Sequence, residues 1–220
     1  MVVMQVTMTS VPGHAGRSNE DFAGAVPNAA VVIDGAGVPG AESVCRHGVA
    51  WYANRLGGGL LGRLSLAPER GLPDLLAEVI EQVTDEHRDT CDVANPISPM
   101  ATVAILRLSG DRADYLALGD TTLVIGPLVV TDPREVTISR PYRVALEATP
   151  EGSDEAPRIL RDLRARRNQP GGFWLAKDDP GAAAEAVTGS CPTAELAAGG
   201  AAGQPAGAAL LSNGASRIVD

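Results

Sequence analysis

Along this chain the apolar positions change period several times, and each change marks an element. Val2, Met4, Val6 and Met8 alternate with Val3, Gln5 and Thr7, which predicts a first strand. Residues 12–17 form a turn-rich loop. The run 29–33 predicts a second strand, apolar on both faces, and the glycines of 35–40 interrupt it. Val44, Gly48, Trp51, Tyr52 and Leu56 fall at helical spacing, predicting a helix over 41–56 that the glycines of 57–59 end. A second helix is predicted over 72–89, with Leu75, Leu76, Val79, Ile80 and Val83 as its apolar stripe and Pro73 in its first turn.

From residue 100 the rhythm becomes that of an antiparallel meander. Runs at 102–108, 113–118 and 121–125 are separated by Ser109-Gly110-Asp111 and Gly119-Asp120, and Val129, Val130, Val136 and Ile138 suggest a further hairpin. Helices are expected over 153–167, capped by Ser153, and over 180–187. The Ala/Gly-rich stretch 188–206 has little pattern and is expected to be a flexible insertion before a last strand at 207–211. Helices, then strands, then helices point to an α+β fold with antiparallel sheet.

Composition narrows the function classes. The 220 residues suit one domain, and a hydrophobic content of 45% with two Phe and two Trp implies a core of Val, Leu, Ile and Ala. A net charge of −9 argues against nucleic acid or an anionic membrane as partner. The one basic run, 158–167, reads as a solvated helix face. Cys45, Cys91 and Cys191 are odd in number and widely spaced, as expected in a reducing interior, and Cys45 and Cys91 read as packing residues on helices. The N-terminus lacks a basic start and an apolar helical run, so no signal peptide is expected, and a cytoplasmic location follows.

The candidate chemistry is acidic. Asn19-Glu20-Asp21 places two carboxylates in an early loop, and Val31-Val32-Ile33-Asp34-Gly35 ends a buried strand on another. Carboxylates beside a glycine whose carbonyl can approach closely suit a hard divalent cation. Gly35-Ala36-Gly37-Val38-Pro39-Gly40 also fits the dinucleotide pattern G-x-G-x-x-G. Against that reading, Asp34 would sit beside a pyrophosphate, and no second parallel strand follows. His14, His47 and His87 show no ligand spacing, although His14 lies in the loop beside the acidic pair. Ser212 lacks the G-x-S-x-G context of a nucleophile.

Taken in order, Arg17, Asn19-Glu20-Asp21, Val31-Val32-Ile33-Asp34-Gly35, Met100-Ala101-Thr102-Val103, Leu118-Gly119-Asp120 and Leu210-Leu211-Ser212-Asn213-Gly214 resemble the protein phosphatase 2C (PPM-type) family. The segment from Arg167 to Trp174 resembles an actinobacterial branch of it. The resemblance implies a four-layer α-β-β-α sandwich of two antiparallel sheets flanked by helices. It also implies manganese or magnesium at one end, and hydrolysis of phosphoserine or phosphothreonine on a phosphorylated protein substrate. Carried over by position, Asp34 would bridge the metals, with the Gly35 carbonyl on one of them. Asp21 and Glu20 would hold metal-bound waters, and Arg17 would grip the phosphate. Asp120 is expected to support the sheet turn.

The chain departs from that family in three places. The late Ser-Asp-Gly reads Ser212-Asn213-Gly214, so a ligand carboxylate becomes the neutral Asn213. Ser98-Pro99 stands where related bacterial enzymes often carry an Asp, and the closing helix and strand with a further Asp are missing before residue 220. Two divalent ions ~4 Å apart repel by roughly 16 kcal/mol at an effective dielectric near 20. Lost carboxylates therefore weaken a metal pair first, whereas one magnesium needs only one or two carboxylates and water. The expectation is a weak or inactive phosphatase. The alternative is a non-catalytic binding module with an unpaired sheet edge after Leu211.

Overall fold

The computed structural model describes residues 4–13, 16, 18–197 and 207–216. The strand expected over 2–8 is absent from its described part: residues 4–10 form no ladder, and Val6 and Met8 are exposed. Alternation alone had no apolar face to pack on. The first strand is instead β1 (Phe22–Val26), which turns at Pro27-Asn28 into β2 (Ala29–Ala36). After a short 3-10 turn at Ala41–Ser43 come the helices α1 (Gly48–Leu66) and α2 (Leu72–Asp85).

α1 runs straight through the glycines expected to end it. A Cβ on Gly57 would lie 2.1 Å from the Phe22 ring, and one on Gly59 2.8 Å from Val79. These glycines let α1 press against β1 on one side and α2 on the other. That packing offsets their cost of about 1 kcal/mol each in a helix interior.

The meander follows as β3 (Met100–Ser109), β4 (Arg112–Leu118), β5 (Thr122–Ile125) and β6 (Leu128–Val130). Val136 and Ile138 are not in a hairpin. They belong to α3 (Arg134–Ala148), started by the Asp132 carboxylate, which accepts from the Arg134 backbone N–H at 3.0 Å. α4 (Glu155–Arg164) starts with the Ser153 hydroxyl accepting from Glu155 N–H. Arg167 lies beyond that helix, mostly buried, and donates to the Pro96 carbonyl, so the solvated face stops short of it.

The helix expected over 180–187 is a 3-10 turn at Pro180–Glu185. The stretch expected to be flexible opens with β7 (Val187–Pro192) and α5 (Thr193–Ala197); residues 198–206 lie outside the described part. β7 pairs with β4 through Gly189, where a Cβ would meet the Tyr115 hydroxyl at 2.2 Å. β8 (Ala208–Leu211) and α6 (Asn213–Ser216) complete the elements.

The strands form two antiparallel sheets, ordered β1-β2-β3-β4-β7 and β6-β5-β8. Odd positions of β2 and β3 (Val31, Ile33, Val103, Ile105) pack with α1 and α2. Even positions (Val32, Ala104, Leu106) pack with Leu123, Ile125 and Val130 of the smaller sheet. The strand period of two thus separates a helix–sheet core from a sheet–sheet core. α3 and α4 contribute Ile138 and Leu163 to a third cluster around Met100, Phe173 and Leu175. Because β2 runs antiparallel to both neighbours, the parallel βαβ unit of a dinucleotide site is excluded. Among the described residues no helix is long and apolar enough to cross a membrane.

Candidate metal centre

Strand register brings the acidic residues together. Phe22 pairs with Ile33, so the next step of that ladder sets Asp21 opposite Asp34. Asp34 pairs with Thr102 on β3, and Gly119 faces Thr102 closely enough that a Cβ on it would lie 2.5 Å from the Thr102 methyl. Asp120 follows at the corner where the chain leaves the five-stranded sheet for β5. Thr122 pairs with Leu211, and extending that ladder by two residues sets Asp120 opposite Asn213. Asp34 shares the inter-sheet side of β2 with Val32 and so stands at the mouth between the sheets.

The contacts follow from that placement. The Asn213 backbone N–H donates to Asp34 Oδ2 at 2.8 Å, and its side-chain amide reaches Asp120 Oδ2 at 3.4 Å. The Gly35 N–H and the Ser212 hydroxyl serve the Asp21 carboxylate, while Asp21 N–H donates to Asn19 Oδ1 at 3.1 Å. Gly35 is needed because a Cβ there would sit 2.3 Å from the Glu20 carbonyl oxygen. The exposed Glu20 carboxylate lies beside Gly37, 3.7 Å from where a Cβ would stand. The structure therefore brings Asp21, Asp34, Gly35 and Asn213 together, with the Glu20 backbone carbonyl against Gly35 and its carboxylate on the Gly37 side. Arg17 and His14 lie outside the described residues.

Burial first, then the charges of Asp21 and Asp120, push the Asp34 carboxyl up to about 6, against the pull of the Asn213 N–H. Burial also raises Asp21, opposed by Ser212, Gly35 and Asp34. Below about pH 6 the polypeptide by itself relieves the repulsion by taking up a proton on Asp34, shared in a hydrogen bond with Asp21. Among the described residues, no Lys or Arg forms an ion pair with Glu20, Asp21, Asp34 or Asp120.

Such hard, mutually repelling oxygen donors fit a divalent cation in kind. The fit is for a lightly held ion: among the described residues, no three of these carboxylates bring ligand oxygens within 4.8 Å of one another. Asp120, expected to support the turn, occupies that turn and also faces Asp34. Ser212 at Asp21 was not anticipated. Reading the ladder registers outward from Asp34 is the signal that finds both.

No protein-family model matches the chain, and no curated protein matches it. Solved structures do. A bacterial serine phosphatase is 12% identical, over 83% of this chain and 70% of that chain, with a TM-score of 0.50. MsPP, a PPM Ser-Thr phosphatase from Mycobacterium smegmatis solved with cacodylate, is 14% identical over 87% and 73%, with a TM-score of 0.47. PppA, a key regulatory component of T6SS in Pseudomonas aeruginosa, is 24% identical over 52% and 48%, with a TM-score of 0.39. The chain spans about half the length of PppA and of the Staphylococcus aureus phosphatase Stp1, at 48% and 50%. At 12% identity and a TM-score of 0.50, the likeness to the bacterial serine phosphatase concerns the fold alone.

Proposed function

We infer that this chain is a metal-dependent serine/threonine phosphoprotein phosphatase of the phosphatase 2C type, with weak turnover, built on a four-layer α-β-β-α sandwich. The observation that carries this reading is the convergence of Asp21, Asp34, Asp120 and Asn213 at the mouth between the sheets. Asp34 and the Gly35 carbonyl are the residues for a single manganese or magnesium ion, with Asp21 and Glu20 orienting its waters. Bound there, the ion supplies a water of lowered pKa and screens the phosphate's charge. Asn213 holds Asp34 in place through its N–H but adds no negative charge. Arg17 is assigned to the phosphate by its place in the sequence. A phosphorylated protein is the substrate, and the net charge of −9 disfavours nucleic acid and anionic membrane surfaces. A cytoplasmic location fits free thiols.

The test is hydrolysis of a phosphothreonine peptide with manganese. Slow, manganese-dependent turnover that disappears in Asp34→Asn and rises in Asn213→Asp supports the assignment. Turnover indifferent to Asp34→Asn would defeat it.

One observation favours a non-catalytic reading. The Asn213 N–H and amide occupy lone pairs on Asp34 and Asp120 that a cation would use, and among the described residues β8 is an edge strand of its sheet. An open edge offers backbone groups to a partner strand. Manganese uptake without hydrolysis, even in Asn213→Asp, would point to that binding role.

A further inference from the structure

Well separated in sequence, residues 44–47 and the loop after α2 meet just ahead of α1, where Asp92 N–H donates to the Val44 carbonyl at 2.9 Å. The helical setting expected for Cys45 and Cys91 does not hold, because both lie in loops; Cys45 is buried there as expected and Cys91 is half-buried. Neither is His47 isolated. Donor atoms of Cys45, His47 and Cys91 all lie within 4.8 Å of one another, and His47 Nδ1 is 3.3 Å from Cys91 Sγ. Around a tetrahedral zinc-like ion, with metal–sulfur bonds of ~2.3 Å and metal–nitrogen bonds of ~2.0 Å, neighbouring donors stand roughly 3.5–3.8 Å apart. His47 Nδ1 and Cys91 Sγ already sit near that spacing, Cys45 Sγ lies within 4.8 Å of both, and both thiols are free.

Against desolvation, the Cys45 thiol, the Thr90 hydroxyl and the N–H groups of Arg46 and His47 draw the Cys91 thiol below its ordinary range, while burial raises the Cys45 thiol, opposed by the N–H groups of Gly48 and His47. Amide donors of this kind stabilise metal-bound sulfur and hold it in direction. The His47 ring is fixed by stacking on Trp51 at 4.4 Å. Trp51 in turn meets His87 edge-on at 5.2 Å, and His87 Nδ1 is anchored to the Val83 carbonyl at 2.6 Å.

We propose that Cys45, His47 and Cys91 form a binding site for one borderline-soft divalent ion of the zinc class, leaving a fourth position for water or an exogenous ligand. A disulfide between the two cysteines is the rival. It would leave the imidazole nitrogen facing Cys91 and the converging amides without a role. The ion would fasten the segment leaving β2 to the segment leading into β3, the two strands paired at Asp34 and Thr102. The site shares no ligand with the acidic row, so it stands or falls separately from the phosphatase reading.

Titrating the reduced full-length chain with cobalt(II) tests it. The thiolate-to-cobalt charge-transfer band and the visible bands of tetrahedral geometry should saturate at one cobalt per chain and be bleached by zinc(II), since cobalt on the oxygen donors of the acidic row gives no thiolate band. Cys91→Ser and His47→Ala, with unchanged circular dichroism, should each weaken uptake by at least about tenfold. Asp34→Asn should retain the charge-transfer band, because that carboxylate is not among the donors. The proposal is overturned if the reduced chain gives no such band, if the band survives Cys91→Ser, or if the cysteines only form a disulfide.

Discussion

The backbone N–H of Asn213 donates to Asp34 Oδ2 at 2.8 Å, joining residues 179 positions apart and tying the end of β8 to the last turn of the β2 ladder. This bond opposes a larger penalty. Burial and two neighbouring carboxylates hold the Asp34 carboxyl near 6, above its ordinary 3.8.

The folded state therefore binds the Asp34 proton more tightly than the unfolded state, so stability falls as pH rises from about 4 to about 6. Asp34→Asn removes that penalty while keeping an acceptor for the Asn213 N–H. In metal-free buffer it should stabilise the protein by on the order of 2–3 kcal/mol at pH 7 and by almost nothing at pH 4. Thermal melts at the two pH values check this.

Asn213→Asp acts in the opposite sense. A carboxylate added opposite Asp120 and beside Asp34 increases the repulsion and should cost about 1–2 kcal/mol at pH 7 without metal. The same charge should strengthen manganese binding by roughly tenfold or more. Calorimetric titration and chelator-treated melts would show the two effects in one variant.

Gly35→Ala probes how closely the Glu20-Asp21 loop must approach β2. The new Cβ would stand 2.3 Å from the Glu20 carbonyl oxygen and 2.6 Å from Val49 Cγ1, and backbone cannot yield as a flexible side chain does. The expected cost is about 2–3 kcal/mol, with manganese affinity falling because Asp21 is pushed off Asp34. Denaturant unfolding and metal titration measure both.

Tyr52→Phe tests the helix–sheet core. The buried Tyr52 hydroxyl donates to the Lys177 carbonyl at 2.8 Å, which also accepts from Thr84 Oγ1 at 3.3 Å. Because that carbonyl keeps a partner, the loss should be close to 1 kcal/mol, not the full penalty of an orphaned buried group. Urea midpoints at constant slope would read it directly.

Strong local periodicity was legible without coordinates: α2, β2 and the runs that became β3, β4 and β5 lie close to where their patterns placed them. The acidic residues and Asn213 were singled out from the sequence as well. Tertiary packing decided the rest. Residues 4–10 alternate but bury no face, while the unremarkable Phe22–Val26 becomes a strand because β2 offers it a ladder and Gly57 a place for its ring. Glycines that end a helix in isolation are kept inside α1 by what presses against them. Asp120 at the acidic row, and the meeting of Cys45, His47 and Cys91, depend on residues far apart in the chain. Local sequence records how a segment will bury its own apolar atoms, but which distant polar groups share a pocket is set by register and sheet stacking, which only the folded chain possesses.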